Sequence, residues 1–563
     1  LLDGLGLVMF LPLLQMVAEP DGVASSQSMG AFAFIPEFLG TFGLEMTLNI
    51  VLLTMLFFFT FKGLAVFCQS YLVVYYQQFF AKRLRFENIK ALSNYSYSAF
   101  VKADAGEIQN TLSGEVARVL QGFMAYSQML KQLILILTYA GLAFGASPKF
   151  AAIVAVGGVL SNFLFKVLYK KTKLFSKKLV GSNNQFQGLL IQQVAFFKYL
   201  KATGSIKRYA KYLMSKVVEI EKTLRDIGFL NSIMIGIREP ILMAIVVSVI
   251  MIEVNFLGGA LSTIIASLLF FYRALNSVAI FQTNYNRFLS FSGSIDKMQE
   301  FVKELKANRS KNGQENLIKE SAILTLKNLS FSFNREMPIL NKINLIIQPK
   351  ETIAFVGESG SGKTTLINVI AGLLVPESGE LLIGAQNFQD IKIEELQKRI
   401  GYITQEPTIF DESIYNNVTF WAPKTEENIK RFWDALKQAH ILAFVEEQPD
   451  KEETHLGSNG VNLSGGQRQR ISIARELYKE VDFLLLDEAT SALDSDTERQ
   501  IQNNFDELKG KYTIIIIAHR LSTIKNADRV VVLNKGSIDQ IGTFKELISK
   551  SESFKKMVDL QEV

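Results

Sequence analysis

The sequence predicts an α-helical transmembrane domain of six spans, the first of them truncated, followed by an α/β phosphate-loop domain. Three observations predict it. Apolar residues concentrate before about residue 285, in runs suited to a bilayer, and the rest has ordinary globular composition. Lys and Arg crowd two of the connections between those runs and are sparse in the others. Finally, Gly357-Glu358-Ser359-Gly360-Ser361-Gly362-Lys363-Thr364 fits G-x-x-x-x-G-K-[ST], between an apolar strand-like run at 352–356 and a helical pattern at 363–373.

The chain of 563 residues is expected to hold more than one domain. It divides into a transmembrane domain at 1–305, a polar linker at 306–321 and a nucleotide-binding domain at 322–563. Cys68 is the only cysteine, which excludes a disulfide framework and a cysteine metal site. Its role is that of a small apolar residue in a membrane helix. Leu1 is not Met and already lies in an apolar stretch, which reads as a truncated start rather than a signal peptide.

The spans are read at 1–17, 48–76, 122–144, 150–169, 227–254 and 261–281. Apart from the first, each can cross ~30 Å of hydrocarbon at about 1.5 Å per residue, and some are long enough to continue into the cytosol. No Lys or Arg lies between Val17 and Met46, whereas Lys82, Arg83, Arg85, Lys90 and Lys102 follow the second span. Lys170, Lys171, Lys173, Lys177, Lys178, Lys198, Lys201 and Lys207 follow the fourth. These two connections are placed in the cytosol, together with the C-terminal half. Because the lysines flank apolar spans, no nucleic-acid partner is expected. The tips of the two connections are read at 95–105 and 192–204, with Tyr95, Tyr97 and Phe100 on the first and Phe196, Phe197 and Tyr199 on the second. Exposed aromatics there suggest docking on another surface.

Lys62, Lys131, Arg238, Glu239 and Arg273 interrupt the spans. Charges at such depth face a partner or a wet cavity. Arg238 and Glu239, being adjacent, are not expected to share a helix face. Lys62, Arg238 and Arg273 come from spans two, five and six, and are the candidate substrate-binding residues. Facing one cavity, they would form a cationic patch suited to a phosphate or pyrophosphate headgroup.

From Ala322 onward short β-rich runs alternate with helical patterns, which predicts an α/β core. In the phosphate loop, backbone N–H groups curl round phosphates at a helix N-terminus, Lys363 reaches the β- and γ-phosphates, and Thr364 ligates Mg²⁺. Further motifs follow in order. Tyr402-Ile403-Thr404-Gln405 ends a strand, and Leu463-Ser464-Gly465-Gly466-Gln467 opens a helix. A buried strand closes on Asp487-Glu488, Ser491-Ala492-Leu493-Asp494 follows, and another strand ends at His519.

The phosphate loop, Leu-Ser-Gly-Gly-Gln, the Asp-Glu strand end and the histidine, in that order, resemble the ATP-binding cassette (ABC) family. With the spans ahead of them, the whole chain resembles a half-transporter of the exporter type. It loosely resembles the flippases of lipid-linked oligosaccharides and lipopolysaccharide precursors. The resemblance implies ATP and Mg²⁺ as cofactors. It places Gly357, Glu358, Ser359, Gly360, Ser361, Gly362, Lys363, Thr364 and Thr365 on the phosphates, and Thr364, Gln405 and Asp487 on the metal. Glu488 orients and deprotonates the attacking water, His519 bonds the γ-phosphate, and Gln405 also belongs to the catalytic set. Phe333, in Phe331-Ser332-Phe333, stacks on adenine. Ser464, Gly465, Gly466, Gln467 and Asp494 contact the nucleotide, with Ser464 and Gly466 completing the ATP site of the opposite subunit. One cassette per chain therefore implies a homodimer, or a heterodimer with a similar half-transporter.

The stretch Leu456-Gly457-Ser458-Asn459-Gly460 departs from the family's Val-Gly-Glu-x-Gly by lacking the acid, which removes or replaces one expected contact between cassette and membrane tip. The function expected is ATP-driven export or flipping of an amphipathic, anionic, lipid-like molecule such as a lipid-linked glycan or glycolipid, in a bacterial inner membrane with the nucleotide-binding domain in the cytoplasm. A multidrug or peptide exporter shares every cassette motif. An ATP-gated channel or regulator is an alternative of another class, disfavoured by an intact Glu488. A soluble DNA-acting ATPase is disfavoured by the spans.

Overall fold

The computed structural model describes residues 41, 43, 47–146, 148–256, 261–318, 323–333, 338–488, 495–518 and 520–559. The predicted span at 1–17, Asp494 and His519 lie outside these. The described residues fall into two compact units, Leu1–Tyr95 with Lys102–Arg309 and Ser96–Val101 with Ser310–Val563.

The first unit is helical. Its elements are α1 (Leu48–Ser93), α3 (Ala105–Asn110), α4 (Val116–Ala146), α5 (Pro148–Ala195), α6 (Phe197–Ala202), α7 (Ile206–Phe256), α8 (Leu261–Ser290) and α9 (Ser292–Ala307), with α2 (Tyr97–Phe100) belonging to the second unit. Thr47 caps α1, its side chain accepting from the Ile50 N–H. At 46 residues and about 1.5 Å per residue, α1 far exceeds the ~30 Å hydrocarbon core, and the five predicted spans among the described residues are the apolar parts of longer helices. Among the described residues, three helices are long and apolar enough to cross a membrane: Leu48–Ser93, Ala105–Phe144 and Ile206–Ile252. Leu53, Phe57, Phe67, Leu137 and Phe229 stay exposed on them, an apolar exterior that suits a bilayer and not water. The unit is closed by α4 on α8 and α5 on α7. At the predicted tips the long helices give way to the short α2 and α6, where Phe100, Phe197 and Tyr199 are exposed.

The second unit is α/β. Its strands are β1 (Leu324–Ser332), β2 (Pro338–Ile347), β3 (Thr352–Val356), β4 (Ser378–Ile383), β5 (Gln386–Asn387), β6 (Ile400–Ile403), β7 (Phe483–Asp487), β8 (Thr513–Ile517), β9 (Arg529–Asn534) and β10 (Ser537–Gly542). They form a sheet ordered β2-β1-β4-β5 and a second ordered β10-β9-β3-β8-β7-β6. In the second sheet the run β9-β3-β8-β7-β6 is parallel. Between Thr352 and Thr513 at two of the strand starts and Asp487 at one strand end, the central strands are continuously apolar, because both faces are covered. Ala354, Val356, Leu484, Leu486, Ile514 and Ile516 feed one core, and Ile353, Phe355, Phe483, Leu485, Ile515 and Ile517 feed the other. Two helices matter for the site, α10 (Lys363–Ile370) and α11 (Gly465–Tyr478). The first stops short of the apolar pattern at 363–373 because Gly372 turns left-handed at φ 70°.

The described part of the polar segment, residues 306–318, is not a free tether. Lys306 and Ala307 complete α9, and residues 312–318 lie along the 386–393 edge of the second unit. Gly313 N–H donates to the Ile391 carbonyl at 3.2 Å, Glu315 N–H to Asp390 at 2.9 Å and Lys392 N–H to Glu315 at 2.8 Å. The segment's polar side chains are used as well, Asn312 Oδ1 accepting from Ile393 N–H at 2.8 Å and Asn316 Oδ1 from Lys392 Nζ at 2.8 Å. A Cβ at Gly313 would overlap the Asp390 backbone. Gly313→Ala is therefore expected to destabilise this edge by about 1–3 kcal/mol. Thermal unfolding of purified protein checks this, and an unchanged midpoint would show that the segment detaches without penalty.

Candidate active site

The phosphate loop leaves the C-terminal end of β3, at the edge where α/β sheets place their ligands. Its backbone needs glycine: Gly362, the residue before α10, has φ 99° and lies against the Ile339 carbonyl, where an added Cβ would stand 3.0 Å away. The first N–H groups of α10 have no carbonyl within their own helix, and face the loop with partial positive charge. Lys363 folds back, its Nζ donating to the carbonyls of Gly357 at 2.8 Å and Glu358 at 3.0 Å. Burial pushes the Lys363 pKa down, opposed by the nearby carboxylates of Glu488 and Asp487. Ser361 is 3% exposed, and its hydroxyl has no hydrogen-bond partner among the described residues. A lysine satisfied only by loop carbonyls and an orphaned buried hydroxyl fit a phosphate chain as missing partner. Thr364 is exposed beside them and Thr365 is half-buried.

Strands β6 and β7 run parallel with Ile403 opposite Leu486. That register sets Gln405 beside Glu488, and Gln405 Nε2 donates to Glu488 Oε2 at 3.0 Å. Tyr402 Oη lies 3.2 Å from Asp487 Oδ2 and 3.2 Å from Asn368 Oδ1. Glu488 has φ 51°, a left-handed conformation that costs a non-glycine residue roughly 1–2 kcal/mol. The structure thus brings Lys363, Gln405, Asp487 and Glu488 together. One hydroxyl, one amide and one carboxylate (Thr364, Gln405, Asp487) are a sparse oxygen set. It suits Mg²⁺, which keeps waters and takes substrate phosphate oxygens.

Other predicted residues stand differently. Phe333 follows β1, is partly exposed and meets Phe331 edge-on with centroids 5.1 Å apart. Ser464 caps α11: its Oγ accepts from Gln467 N–H at 3.2 Å, and Gln467 Oε1 accepts from Ser464 N–H at 2.8 Å. Gln467 is therefore engaged in a capping box. Gly465 and Gly466 form the first turn of α11.

Sequence reasoning assigned no role to Tyr402, Asn368 or Arg475. Arg475 of α11 is buried, donating to the carbonyls of Asn417 at 2.7 Å and Thr408 at 2.8 Å. Its guanidinium stands 5.4 Å from the Phe410 ring and 5.2 Å from the Phe420 ring, and burial lowers its pKa. The available signal was a lone polar group in each apolar pattern.

In the helical unit a small, half-open cavity of about 20 Å³ is lined by Phe165, Met234, Arg238, Leu242, Leu275 and Gln282, among others. Arg238 Nη2 pairs with Glu239 Oε1 at 3.1 Å. This corrects the expectation from adjacency, because long side chains reach round one helix. Arg238 Nε is buried with no partner among the described residues. Lys62 and Arg273 do not line the cavity. Lys62 stands 5.2 Å over the Phe59 ring, and Arg273 is exposed. The three cations are not gathered within one chain: α1, which carries Lys62, packs on α4 and α9, whereas α7 and α8 pack on each other.

Comparison with known proteins covers both halves. Residues 340–491 match the family model described as ABC transporter, and residues 21–275 match that of the ABC transporter transmembrane region. The heterocyst differentiation ATP-binding protein HepA of Nostoc sp. is 31% identical over 484 residues, covering 84% of this chain and 78% of the relative. An ATP-dependent lipid A-core flippase of Hahella chejuensis is 29% identical over 519 residues, covering 89% and 86%. The solved structure of a bacterial Atm1-family ABC exporter with ATP bound superposes with a TM-score of 0.78 at 20% identity, covering 99% of this chain and 97% of that one. Similarity that runs through the helical unit as well as the phosphate-loop unit places the chain in the ABC transporter family, as an ATP-hydrolysing half-transporter of the exporter type.

Proposed function

We propose that two copies of this chain use ATP hydrolysis to move an anionic, lipid-like molecule outward from the cytosolic leaflet of a bacterial inner membrane. Each copy has six spans, counting the stretch at 1–17. Lys363 and the 357–365 loop hold the ATP phosphates. Thr364, Gln405 and Asp487 hold Mg²⁺, whose chemistry is to neutralise phosphate charge. Glu488 takes the proton of the attacking water. Phe333 stacks on adenine, and Ser464 and Gly466 complete the site of the other copy. His519 and Asp494 keep the roles that the family resemblance implies.

The observation that carries the cargo reading is Arg238, which is among the residues lining the cavity and whose buried Nε has no hydrogen-bond partner among the described residues. A charge at membrane depth costs at least ~2.5–3.5 kcal/mol to insert. Glu239 compensates part of it, and a phosphate oxygen would satisfy the remaining donor. A hydrophobic cation would be repelled. The similarity to proteins named lipid A-core flippases supports the same class. Lys62 and Arg273 carry no part of this reading.

The test is ATPase stimulation in proteoliposomes by a pyrophosphate-linked lipid, comparing the parent with Arg238→Gln. A hydrogen bond to a charged group contributes ~1.5–3 kcal/mol, so the half-stimulating concentration should rise roughly ten- to hundred-fold. An unchanged response, together with stimulation by hydrophobic cations or peptides, would favour the multidrug or peptide exporter.

A further inference from the structure

We infer that Tyr402 is a positioning residue of the ATPase reaction, its hydroxyl holding one oxygen of Asp487 so that the other stays turned to the metal site. The inference rests on the reading of Asp487 as a metal residue.

Three features carry it. Tyr402 is in β6, opposite Leu485 of β7, so its side chain can reach the strand end at Asp487. Its ring packs against the apolar core on one face of the sheet, which fixes where the hydroxyl points. The oxygen stands 3.2 Å from Asp487 Oδ2 and 3.2 Å from Asn368 Oδ1, and Asn368 belongs to the helix that Lys363 opens. A phenol has one proton and cannot donate fully to both. The carboxylate is the stronger acceptor and takes it.

Pure core packing would have been met by phenylalanine, and nothing in that role requires an oxygen in reach of Asp487. The strand end makes a second tie, Gln405 to Glu488 at 3.0 Å. Gln405 must leave Glu488 to reach the metal. Tyr402 has no such second duty and can hold Asp487 in both states. Adjacent acids are thus held by two side chains of one neighbouring segment.

The test uses the full-length dimer in nanodiscs. Binding of a fluorescent ATP analogue is measured with Mg²⁺ and with EDTA, and ATPase is titrated with Mg²⁺. Tyr402→Phe keeps the ring and removes only the hydroxyl. Affinity in EDTA should match the parent, whereas the Mg²⁺ needed for half-maximal binding and turnover should rise roughly ten- to hundred-fold, the range expected for one lost hydrogen bond to a charge and for the loss of a group that orients a metal ligand. Tyr402→Leu, which also removes ring packing, should weaken binding in both conditions and lower thermal stability. The proposal is overturned if Tyr402→Phe leaves the Mg²⁺ requirement unchanged, or weakens binding equally with and without metal. Asp487→Asn separates the two readings. If it too leaves the Mg²⁺ requirement unchanged, the assignment of Asp487 fails, and the role of Tyr402 falls with it.

Discussion

Glu488→Gln is expected to bind ATP with near-parent affinity and to lose turnover by about 10²–10⁴-fold, the range typical of a lost general base. Gln has the shape of Glu and keeps an oxygen for Gln405 Nε2, which now stands 3.0 Å from Glu488 Oε2. The left-handed backbone at Glu488 is retained too, so the change removes a proton acceptor and little else. The variant dimer should stay closed on ATP, since opening follows hydrolysis. Steady-state ATPase beside analogue binding checks both halves. Hydrolysis near the parent rate would remove Glu488 from the role of base.

A mixed dimer of one Lys363→Ala chain and one Ser464→Arg chain should retain about half the parental ATPase if the two sites act independently. Each homodimer should be nearly inactive. The expectation follows from the proposed composite sites, in which the phosphate loop would come from one chain and the start of α11 from the other. Both lesions then fall in one site and leave the second intact. Among the described residues the Ser464 side chain bonds within its own helix, which leaves the N-terminal end of α11 available to a partner's nucleotide. Differently tagged chains purified through both tags give the mixed species. A mixed dimer as inactive as the homodimers would mean that each chain builds its own site.

Much of the second unit was legible because its signals are local. The runs at 352–356, 483–487 and 513–517 are continuous apolar stretches, and they are the central strands buried on both faces. The phosphate loop follows the first of those strands and Asp487 ends the second with Glu488 next, while Gln405 follows the neighbouring β6, so finding the strands located these residues. What was not legible depends on direction around an axis or on partners distant in sequence. The apolar spans gave depth for Lys62, Arg238 and Arg273, but not which way each helix turns, and only Arg238 reaches the cavity. Residues 312–318 read as a polar tether because their hydrogen-bond partners lie beyond residue 385. Tyr402 passed as one more strand aromatic, since its hydroxyl matters only once β6 is beside β7.

The central claim is tested most directly by following the headgroup of an anionic, pyrophosphate-linked lipid in proteoliposomes that hold the cassettes outward. With Mg²⁺ and ATP, the parent should withdraw the headgroup from an external label, and Glu488→Gln should not. Hydrolysis by the parent without any movement of the anionic lipid, alongside ATP-dependent uptake of a hydrophobic cation, would contradict the account.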